Sequence, residues 1–146
     1  MTSFRISSKL IQAAILCCGV CSMAFSQSFL TELQSEHNPI KRSNMALTFA
    51  NSAFENAHDF YGKGEFDQGD AQLENMTKAL NECVASLAIA RKARLYKKAE
   101  MNVADLQRRM QGLLDDIQLQ RRGWAEQTAR RLDEIHDKLL EGVMRK

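Results

Sequence analysis

The chain has 146 residues, with 20 basic and 18 acidic side chains, one proline and a small share of aromatic residues. This length suits one domain with enough chain for a hydrophobic core. The lone Pro39 and the scarce aromatic residues argue against a β-sandwich with many turns. The near balance of charge argues against nucleic-acid binding, which requires a net basic domain with aromatic stacking surfaces.

Residues 1–26 have the composition of a cleaved export signal. Arg5 and Lys9 give a positive start, residues 10–21 form a mostly apolar run, and Ala24-Phe25-Ser26 is a small-x-small cleavage triplet. The apolar run is too short to span a bilayer, which needs about 20 apolar residues. We therefore expect cleavage after this triplet, with an uncleaved membrane anchor as the alternative.

Removal of the signal changes both the charge and the cysteine count. It removes two basic and no acidic side chains, so 18 of each remain and the processed chain is neutral. Three of the four cysteines leave as well, so Cys83 has no intramolecular partner and the core alone must hold the fold. None of the three follows a Leu-small-small run, which disfavours lipidation. We expect a periplasmic or secreted protein that meets the membrane only through the uncleaved signal.

The processed chain begins with a polar stretch, residues 27–38, that has no clear period and is predicted to be a flexible leader. Asn38 before Pro39 suits the start of a helix. Gly62-Lys63-Gly64 is predicted to end that helix. Its apolar positions recur at steps of three and four, at Leu47, Ala50, Phe54, Ala57 and Tyr61.

Two further helices are predicted between Glu65 and Arg121. The second has the stripe Phe66, Leu73, Met76, Leu80, Cys83, Leu87 and Ala90, and the third has Ala99, Val103, Leu106, Met110, Leu113 and Ile117. The third stripe is displaced by two residues from the register of the second, a turn of roughly 200°. We therefore predict a break between about residues 90 and 96, with Arg91-Lys92-Ala93-Arg94 as the connection. One long continuous helix is the alternative, because no glycine or proline lies between Gly69 and Gly112.

Arg121-Arg122-Gly123 is predicted to end the third helix. The fourth stripe is Trp124, Thr128, Leu132, Ile135, Leu139 and Val143, with Trp124 as an expected core anchor. Gly112 marks either a close approach between helices or a point of low helix stability. Gly142 falls in the last turn, where fraying reduces the stability cost of glycine. The predicted fold is all-α: an up-down four-helix bundle of two hairpins over residues 39–146, with coiled-coil-like spacing.

Charge divides the processed chain into two halves. Residues 27–90 carry four basic and nine acidic side chains, a net charge of −5, and residues 91–146 carry fourteen basic and nine acidic ones, a net charge of +5. One interpretation is internal, with the acidic hairpin packed on the basic one through weak surface pairs. The other is a basic face that contacts anionic envelope polymers or lipid headgroups.

The sequence contains no recognisable catalytic, cofactor-binding or metal-binding set. His136 diverges from Glu134 and Asp137 on a helix, and a metal site needs ligands that face one way. The remaining candidate site residues are weaker. Cys83 has the spacing of a small core residue, and the alternative is that it forms an inter-chain disulfide in a homo-oligomer. The adjacent carboxylates Asp115-Asp116 fit a solvated helix face, and His37 falls in the leader.

Residues 53–81 resemble a single tetratricopeptide-like helical hairpin. The segment from Phe60 to Gly69 has the large residue before the turn, the turn glycine, the acidic-aromatic pair and the small residue of that family, while Ala53 and Ala57 match its first helix. The closing proline is replaced by Asn81 and no second copy follows. The resemblance therefore implies hairpin geometry, because a lone repeat forms no peptide-binding groove.

The processed chain is also similar to a group of small exported bacterial helical proteins of unknown function. The similarity rests on residues 51–58 and 131–144, and it implies a fold and an export route without an activity. We expect a non-enzymatic protein with a structural or protein-interaction role in the cell envelope. Two alternatives are binding of a small ligand or anionic polymer through the basic C-terminal half, and a weak metal-dependent enzyme that uses His58 or His136.

Overall fold

The computed structural model describes residues 28–145, except the side chain of Gln120, and within this part of the chain all regular structure is helical. The predicted signal, residues 1–26, lies outside the described residues. None of the helices in the described part is long and apolar enough to cross a membrane. The chain separates into two compact units, residues 1–35 and residues 36–146.

The described part of the first unit, residues 28–35, is helical. The Ser35 hydroxyl donates to the carbonyl of Glu32 at 2.7 Å, and Leu33 is fully buried. We expected irregular structure here, and the difference has a simple origin. Phe29 and Leu33 are four residues apart, which is helical spacing, but a stretch this short shows too few turns for a period to be recognised.

The second unit begins with helix α1, Pro39–Gly62, which starts where the sequence predicted. The side chain of Asn38 accepts hydrogen bonds from the backbone N–H groups of Ile40 at 3.0 Å and Lys41 at 3.3 Å. Proline occupies the first helical position, where its missing N–H costs nothing. Local chemistry therefore fixes the start of α1.

Helix α1 also ends as predicted, at the Gly-Lys-Gly turn. Gly64 has a left-handed backbone, with φ of 77°, and its N–H donates to the carbonyl of Tyr61 at 3.0 Å. The N–H of Glu65 reaches back to the carbonyl of Phe60 at 2.9 Å. This pair of hydrogen bonds is a Schellman motif, which satisfies carbonyls that the end of the helix leaves free.

Helices α2, Phe66–Ala90, and α3, Ala93–Asp116, are separate, so the predicted break is confirmed. The connection is only Arg91 and Lys92. Arg91 is left-handed, with φ of 49° and ψ of 37°, and its N–H donates to the carbonyl of Leu87 at 2.9 Å. This conformation costs a non-glycine residue roughly 1–2 kcal/mol. The break lets both apolar stripes be buried despite their different registers, and this burial offsets the cost.

The predicted end of the third helix at Arg121-Arg122-Gly123 is wrong, because α3 stops at Asp116. Ile117 has extended backbone but remains buried, so the stripe continues after the helix has ended. A 3-10 turn, Leu119–Arg121, then leads into α4, Arg122–Met144. Glycine at the second position of α4 does not stop a helix there.

The stripes predicted from the sequence form the core, with one clear exception. Trp124 is 38% exposed, so its assignment as a core anchor is wrong, and Ala125 is buried in its place. Phe66, Ala90 and Val143 are partly exposed. The fully buried side chains of the second unit come from all four helices and include Leu73, Met76, Leu80, Cys83, Leu87, Val103, Leu106, Met110, Thr128, Leu132 and Leu139.

The four helices pack as two antiparallel hairpins, α1–α2 and α3–α4, that stack side by side in the same orientation. Across the stack, α1 contacts α3 and α2 contacts α4. Lys98 donates to Asn44 at 3.0 Å, and Asn51 donates to Asn102 at 3.0 Å further along both helices, so α1 and α3 run parallel. In an up-down four-helix bundle whose helices follow one another around the bundle in chain order, neighbouring helices would instead be antiparallel.

This arrangement has two distinct ends. The turn end carries the α1–α2 turn and the connection between α3 and α4. The open end carries the start of α1, the α2–α3 connection and the last turn of α4. A helix of 24 residues such as α1 separates them by about 36 Å.

Two glycines, Gly69 and Gly142, mark close contacts between helices. A Cβ at Gly69 would lie 2.9 Å from the ring of Tyr61, and one at Gly142 would overlap the ring of Tyr96. Gly142 is therefore needed for helix packing. The interpretation that it lies in a frayed last turn, where glycine costs little stability, is wrong. A Cβ at Gly112 would have open space around it. The interpretation of Gly112 as a point of close approach between helices is therefore wrong.

Candidate interaction groove at the turn end

Folding separates charge along the length of the second unit. At the turn end, residues 58–70 and 113–127 carry seven acidic and three basic side chains, a net charge of −4. At the open end, residues 36–45, 82–100 and 137–145 carry nine basic and five acidic ones, a net charge of +4. The two ends therefore differ in the sign of the charge that they attract.

Two adjacent hollows at the turn end meet at Phe66, and we call them together the turn groove. The first encloses about 260 Å³ and is lined by His58, Tyr61, Gly62, Phe66, Leu113, Asp116, Ile117 and Gln118. The second encloses about 250 Å³ and is lined by Gly64, Glu65, Phe66, Asp67, Gln68 and Arg121. Both pass between the α1–α2 turn and the chain that joins α3 to α4.

The floor of the turn groove is aromatic. The rings of Tyr61 and Phe66 are tilted at 56° with centroids 6.1 Å apart. The Tyr61 hydroxyl donates a hydrogen bond to the carboxylate of Asp70. Burial raises the pKa of Tyr61 above its ordinary value, and the hydrogen bond to Asp70 raises it further. The phenol therefore stays protonated and acts as an anchor for the floor.

Two arginines fix the wall that joins α3 to α4. The guanidinium of Arg121 lies 4.9 Å from the centroid of the Phe66 ring, within cation–π range. Arg122 donates from Nε to the carbonyl of Ile117 at 3.1 Å. Both arginines thus make contacts within the protein that hold one side of the groove in place.

The rim of the turn groove is acidic, and an exposed apolar side chain adjoins it in the chain. Glu65, Asp67 and Asp116 line the hollows and are exposed. Leu119, which follows the lining residue Gln118 in the chain, is 77% exposed. An apolar floor with an acidic rim suits a segment that presents an apolar side chain flanked by positive charges.

The structure places the three histidines apart. His58 lines the turn groove, while Glu55, three residues earlier, pairs with Arg109 on α3. His136 contacts Glu100 on α3 at 3.2 Å. His37 is exposed ahead of α1. Within residues 28–145, no cluster of three or more histidine, cysteine, aspartate or glutamate side chains could hold a metal ion.

His136 and its neighbour Glu134 diverge, as the sequence predicted. Glu134 lines an open polar groove of about 330 Å³ between α2 and α4, and His136 faces α3 instead. In the same groove Glu74 accepts from Arg131 at 2.7 Å and lies 3.9 Å from Lys78. These charges neutralise one another, so this groove lacks the one-sided charge of the turn groove.

Cys83 is a core residue, as predicted, and is 1% exposed. Burial raises the pKa of its thiol to about 12, although the charge of Lys98 acts in the opposite direction. The thiol is therefore protonated and shielded. A second chain cannot reach it without opening the core, which argues against the inter-chain disulfide.

The opposite charges of the two hairpins meet in part across the stack. Arg109 pairs with Glu55 and lies 4.5 Å from the centroid of the Phe54 ring. Arg131 pairs with Glu74 at 2.7 Å. These contacts support the internal interpretation of the charge division, although each exposed pair contributes only about 0–1 kcal/mol.

The chain matches no family model, and no curated protein or solved structure is significantly similar to it. Function must therefore be argued from the geometry of the chain itself. The feature of greatest use, the turn groove, was absent from the candidates drawn from the sequence. Its signals were the aromatic residues Tyr61 and Phe66 and the exposed Leu119, which are separated along the chain. Tyr61 and Phe66 also have the spacing of core positions.

Proposed function

We propose that the protein is an exported, non-enzymatic helical protein that holds a partner protein of the cell envelope in its turn groove. The observation that carries the proposal is the aromatic floor bordered by acidic side chains. The occupant that this chemistry fits is a protein segment with one large apolar side chain between lysine or arginine residues. Charge draws such a segment in, and burial of its apolar side chain retains it.

The proposed architecture is a four-helix bundle of two stacked hairpins over residues 39–144. The first hairpin has features expected of tetratricopeptide-like geometry: a Schellman turn at Gly64 and a small residue, Gly69, beneath an aromatic ring. The turn groove lies at the end of the hairpins. It is not the concave face of a repeat array, which needs several copies.

Export is the second part of the proposal and rests on the composition of residues 1–26. A positive start, an apolar run and a small-residue triplet support cleavage after Ser26. N-terminal sequencing of the protein recovered from fractionated cells tests this. We expect a chain that begins at Gln27 in the periplasmic or secreted fraction, and a chain that retains Met1 in the membrane fraction would contradict it.

A calorimetric titration with a short peptide tests the groove. The probe is a short peptide with one phenylalanine flanked by lysines, and the matched control peptide has glutamates in place of the lysines. We expect saturable binding heat with the lysine peptide only. The affinity should fall with salt, because screening shortens the range of exposed charges.

A charge-removing variant locates the binding surface. Glu65→Gln, Asp67→Asn and Asp116→Asn combined should weaken binding of the lysine peptide by at least about tenfold. The matched control replaces three exposed acids away from the groove, Asp133, Asp137 and Glu141, and should leave binding unchanged. Equal binding of both peptides, or equal loss in both variants, would contradict the proposal.

The basic charge of the open end favours a second candidate function, contact with an anionic surface. It involves different residues and the opposite end of the molecule. The two functions can therefore be tested separately.

A further inference from the structure

The α2–α3 connection and the first turn of α3 form the most concentrated charge in the described part of the chain. Residues 91–98, which we call the basic corner, contain five basic side chains and no acidic one. All five are exposed to solvent: Arg91, Lys92, Arg94, Lys97 and Lys98.

Three of these five charges have no acidic partner among the described residues. Lys97 pairs with Glu100 at 2.8 Å, and Lys98 donates to Asn44 at 3.0 Å. Arg91, Lys92 and Arg94 form no ion pair within residues 28–145. By contrast, arginines such as Arg109 and Arg131 are held by carboxylates and aromatic rings.

The fold gains no ion pair from Arg91, Lys92 or Arg94 within residues 28–145. The first turn of α3 contains no acidic residue, and the side chain of Lys92 does not cap the helix. The start of a helix carries partial positive charge, which favours acidic side chains and repels basic ones. Arg91 adds a left-handed backbone at the same corner. A negatively charged partner would relieve this accumulation of positive charge.

Exposed apolar side chains accompany the positive charge at the open end. Ile89, in the last turn of α2, is 64% exposed, and Met144, in the last turn of α4, is 70% exposed. Basic groups combined with protruding apolar side chains are typical of surfaces that lie on anionic membranes. A soluble anionic polymer uses the charges alone and gives the apolar side chains no role.

We propose that the open end docks on anionic phospholipid headgroups, with the basic corner against the phosphates and Ile89 at the headgroup boundary. This inference goes beyond the groove function, since it names a lipid surface at the opposite end of the molecule. In this orientation the turn groove lies about 36 Å above the lipid surface. Binding is driven by a local cluster, because the processed chain as a whole is neutral.

Vesicle sedimentation with the processed protein tests the proposal. The probes are phosphatidylcholine vesicles with and without about one-third phosphatidylglycerol. We expect binding only to the anionic vesicles, and we expect it to weaken strongly between 0.1 and 1 M salt, as the Debye length falls from about 10 to about 3 Å. Equal binding to neutral vesicles, or binding that salt leaves unchanged, would overturn the proposal.

A corner variant and a matched control separate local from overall charge. Arg91→Gln, Lys92→Gln and Arg94→Gln combined should weaken vesicle binding about a hundredfold, since each basic residue near an anionic surface contributes about fivefold. The control removes three exposed basic side chains elsewhere, Lys78, Arg108 and Arg130, and should bind as the wild type does. Equal loss in both variants would show that no local surface exists.

Ile89→Ser distinguishes lipid from a soluble polyanion. We expect about fivefold weaker binding to anionic vesicles, with an unchanged salt dependence. Unchanged vesicle binding by this variant, together with full competition by soluble polyphosphate, would assign the corner to a polymer and overturn the lipid proposal. Circular dichroism confirms that each exposed-site variant is folded. Peptide binding at the turn groove should be the same in all of them.

Discussion

The two hairpins use the same tyrosine–glycine contact at opposite ends of the molecule. In α1–α2, Tyr61 lies on Gly69 at the turn end, and in α3–α4, Tyr96 lies on Gly142 at the open end. Each tyrosine belongs to one of the two proposed binding surfaces. Both surfaces thus rest on the same local packing, and the difference between them comes from charge, with a net −4 at one end and +4 at the other.

The two ends also differ in how their charged side chains are held. At the turn end, Arg121 is seated on Phe66, and Asp70 accepts from Tyr61, so charged groups stabilise a shaped groove. At the open end, Arg91, Lys92 and Arg94 have no acidic partner in the described chain and extend from the α2–α3 connection and the first turn of α3. A shaped groove suits one specific protein segment, whereas free charges suit an extended surface.

The largest expected effect comes from the core that both ends share. Leu106→Asp places a charge where the side chain is fully buried, so we expect a loss of about 4 kcal/mol or more in the free energy of unfolding. Thermal melting followed by circular dichroism measures it. Both binding functions should disappear together.

The matched control for this substitution is Met101→Asp on the same helix. Met101 is 61% exposed, so we expect a change within about 0.5 kcal/mol. Native-like melting of Leu106→Asp would refute the assignment of the third stripe to the core.

The two tyrosine–glycine contacts are compared directly by alanine substitution. Gly142→Ala should cost about 1–3 kcal/mol, because the new methyl group would overlap the ring of Tyr96. Gly69→Ala should cost less, because its Cβ would lie 2.9 Å from the Tyr61 ring and a small shift relieves that. Urea denaturation measures both, and a larger loss for Gly69→Ala would reverse the comparison.

Gly112→Ala isolates helix propensity from packing. A Cβ added at this exposed glycine in α3 would meet no atom within 4 Å, so we expect a gain of up to about 1 kcal/mol. The same denaturation experiment measures it. A loss of stability here would mean that α3 has a close neighbour at this position.

The smallest effect is a pH dependence at the open end. Glu100 accepts from Lys97 at 2.8 Å and contacts His136 at 3.2 Å, and these hydrogen bonds, that from Lys97 foremost, lower the pKa of its carboxyl. The stabilisation is present above the ordinary carboxyl pKa and is lost as the pH falls through the lowered one. Glu100→Gln should therefore melt below the wild type at neutral pH.

The difference in melting temperature between wild type and Glu100→Gln should vanish in acid. Glu126→Gln at the other end is the control, since Glu126 is exposed and forms no ion pair with the described residues. A difference that persists at low pH would assign the effect of Glu100 to packing.

Local chemistry made much of the fold predictable. Asn38 and Gly64 set the ends of α1 through backbone hydrogen bonds that depend on neighbouring residues alone. The break between α2 and α3 followed from the phase of the stripes. The end of α3 was missed because Gly123 was interpreted as a stop, although glycine is tolerated in the first turn of a helix. Trp124 was misassigned because Ala125 fits the same three-and-four spacing toward Thr128.

The candidate site was not predictable in the same way, because it depends on how the hairpins stack. The turn groove draws residues from around the α1–α2 turn and the α3–α4 connection, and no spacing along the chain reveals that α1 lies beside α3. The sequence divides charge between its halves, −5 and +5. Each hairpin contributes to both ends, so folding converts a division along the chain into one along the long axis.

The buried thiol of Cys83, the single cysteine outside the proposed signal, makes the protein a reporter of its own opening. Because its pKa is raised to about 12, a thiol reagent at neutral pH reacts only during the brief openings that expose α2. The rate of labelling then measures the free energy of that opening. A peptide or vesicle that binds only the closed protein slows the reaction in proportion to its occupancy. Because Cys83 lines neither the turn groove nor the basic corner, one reaction allows the two affinities to be compared on a single scale.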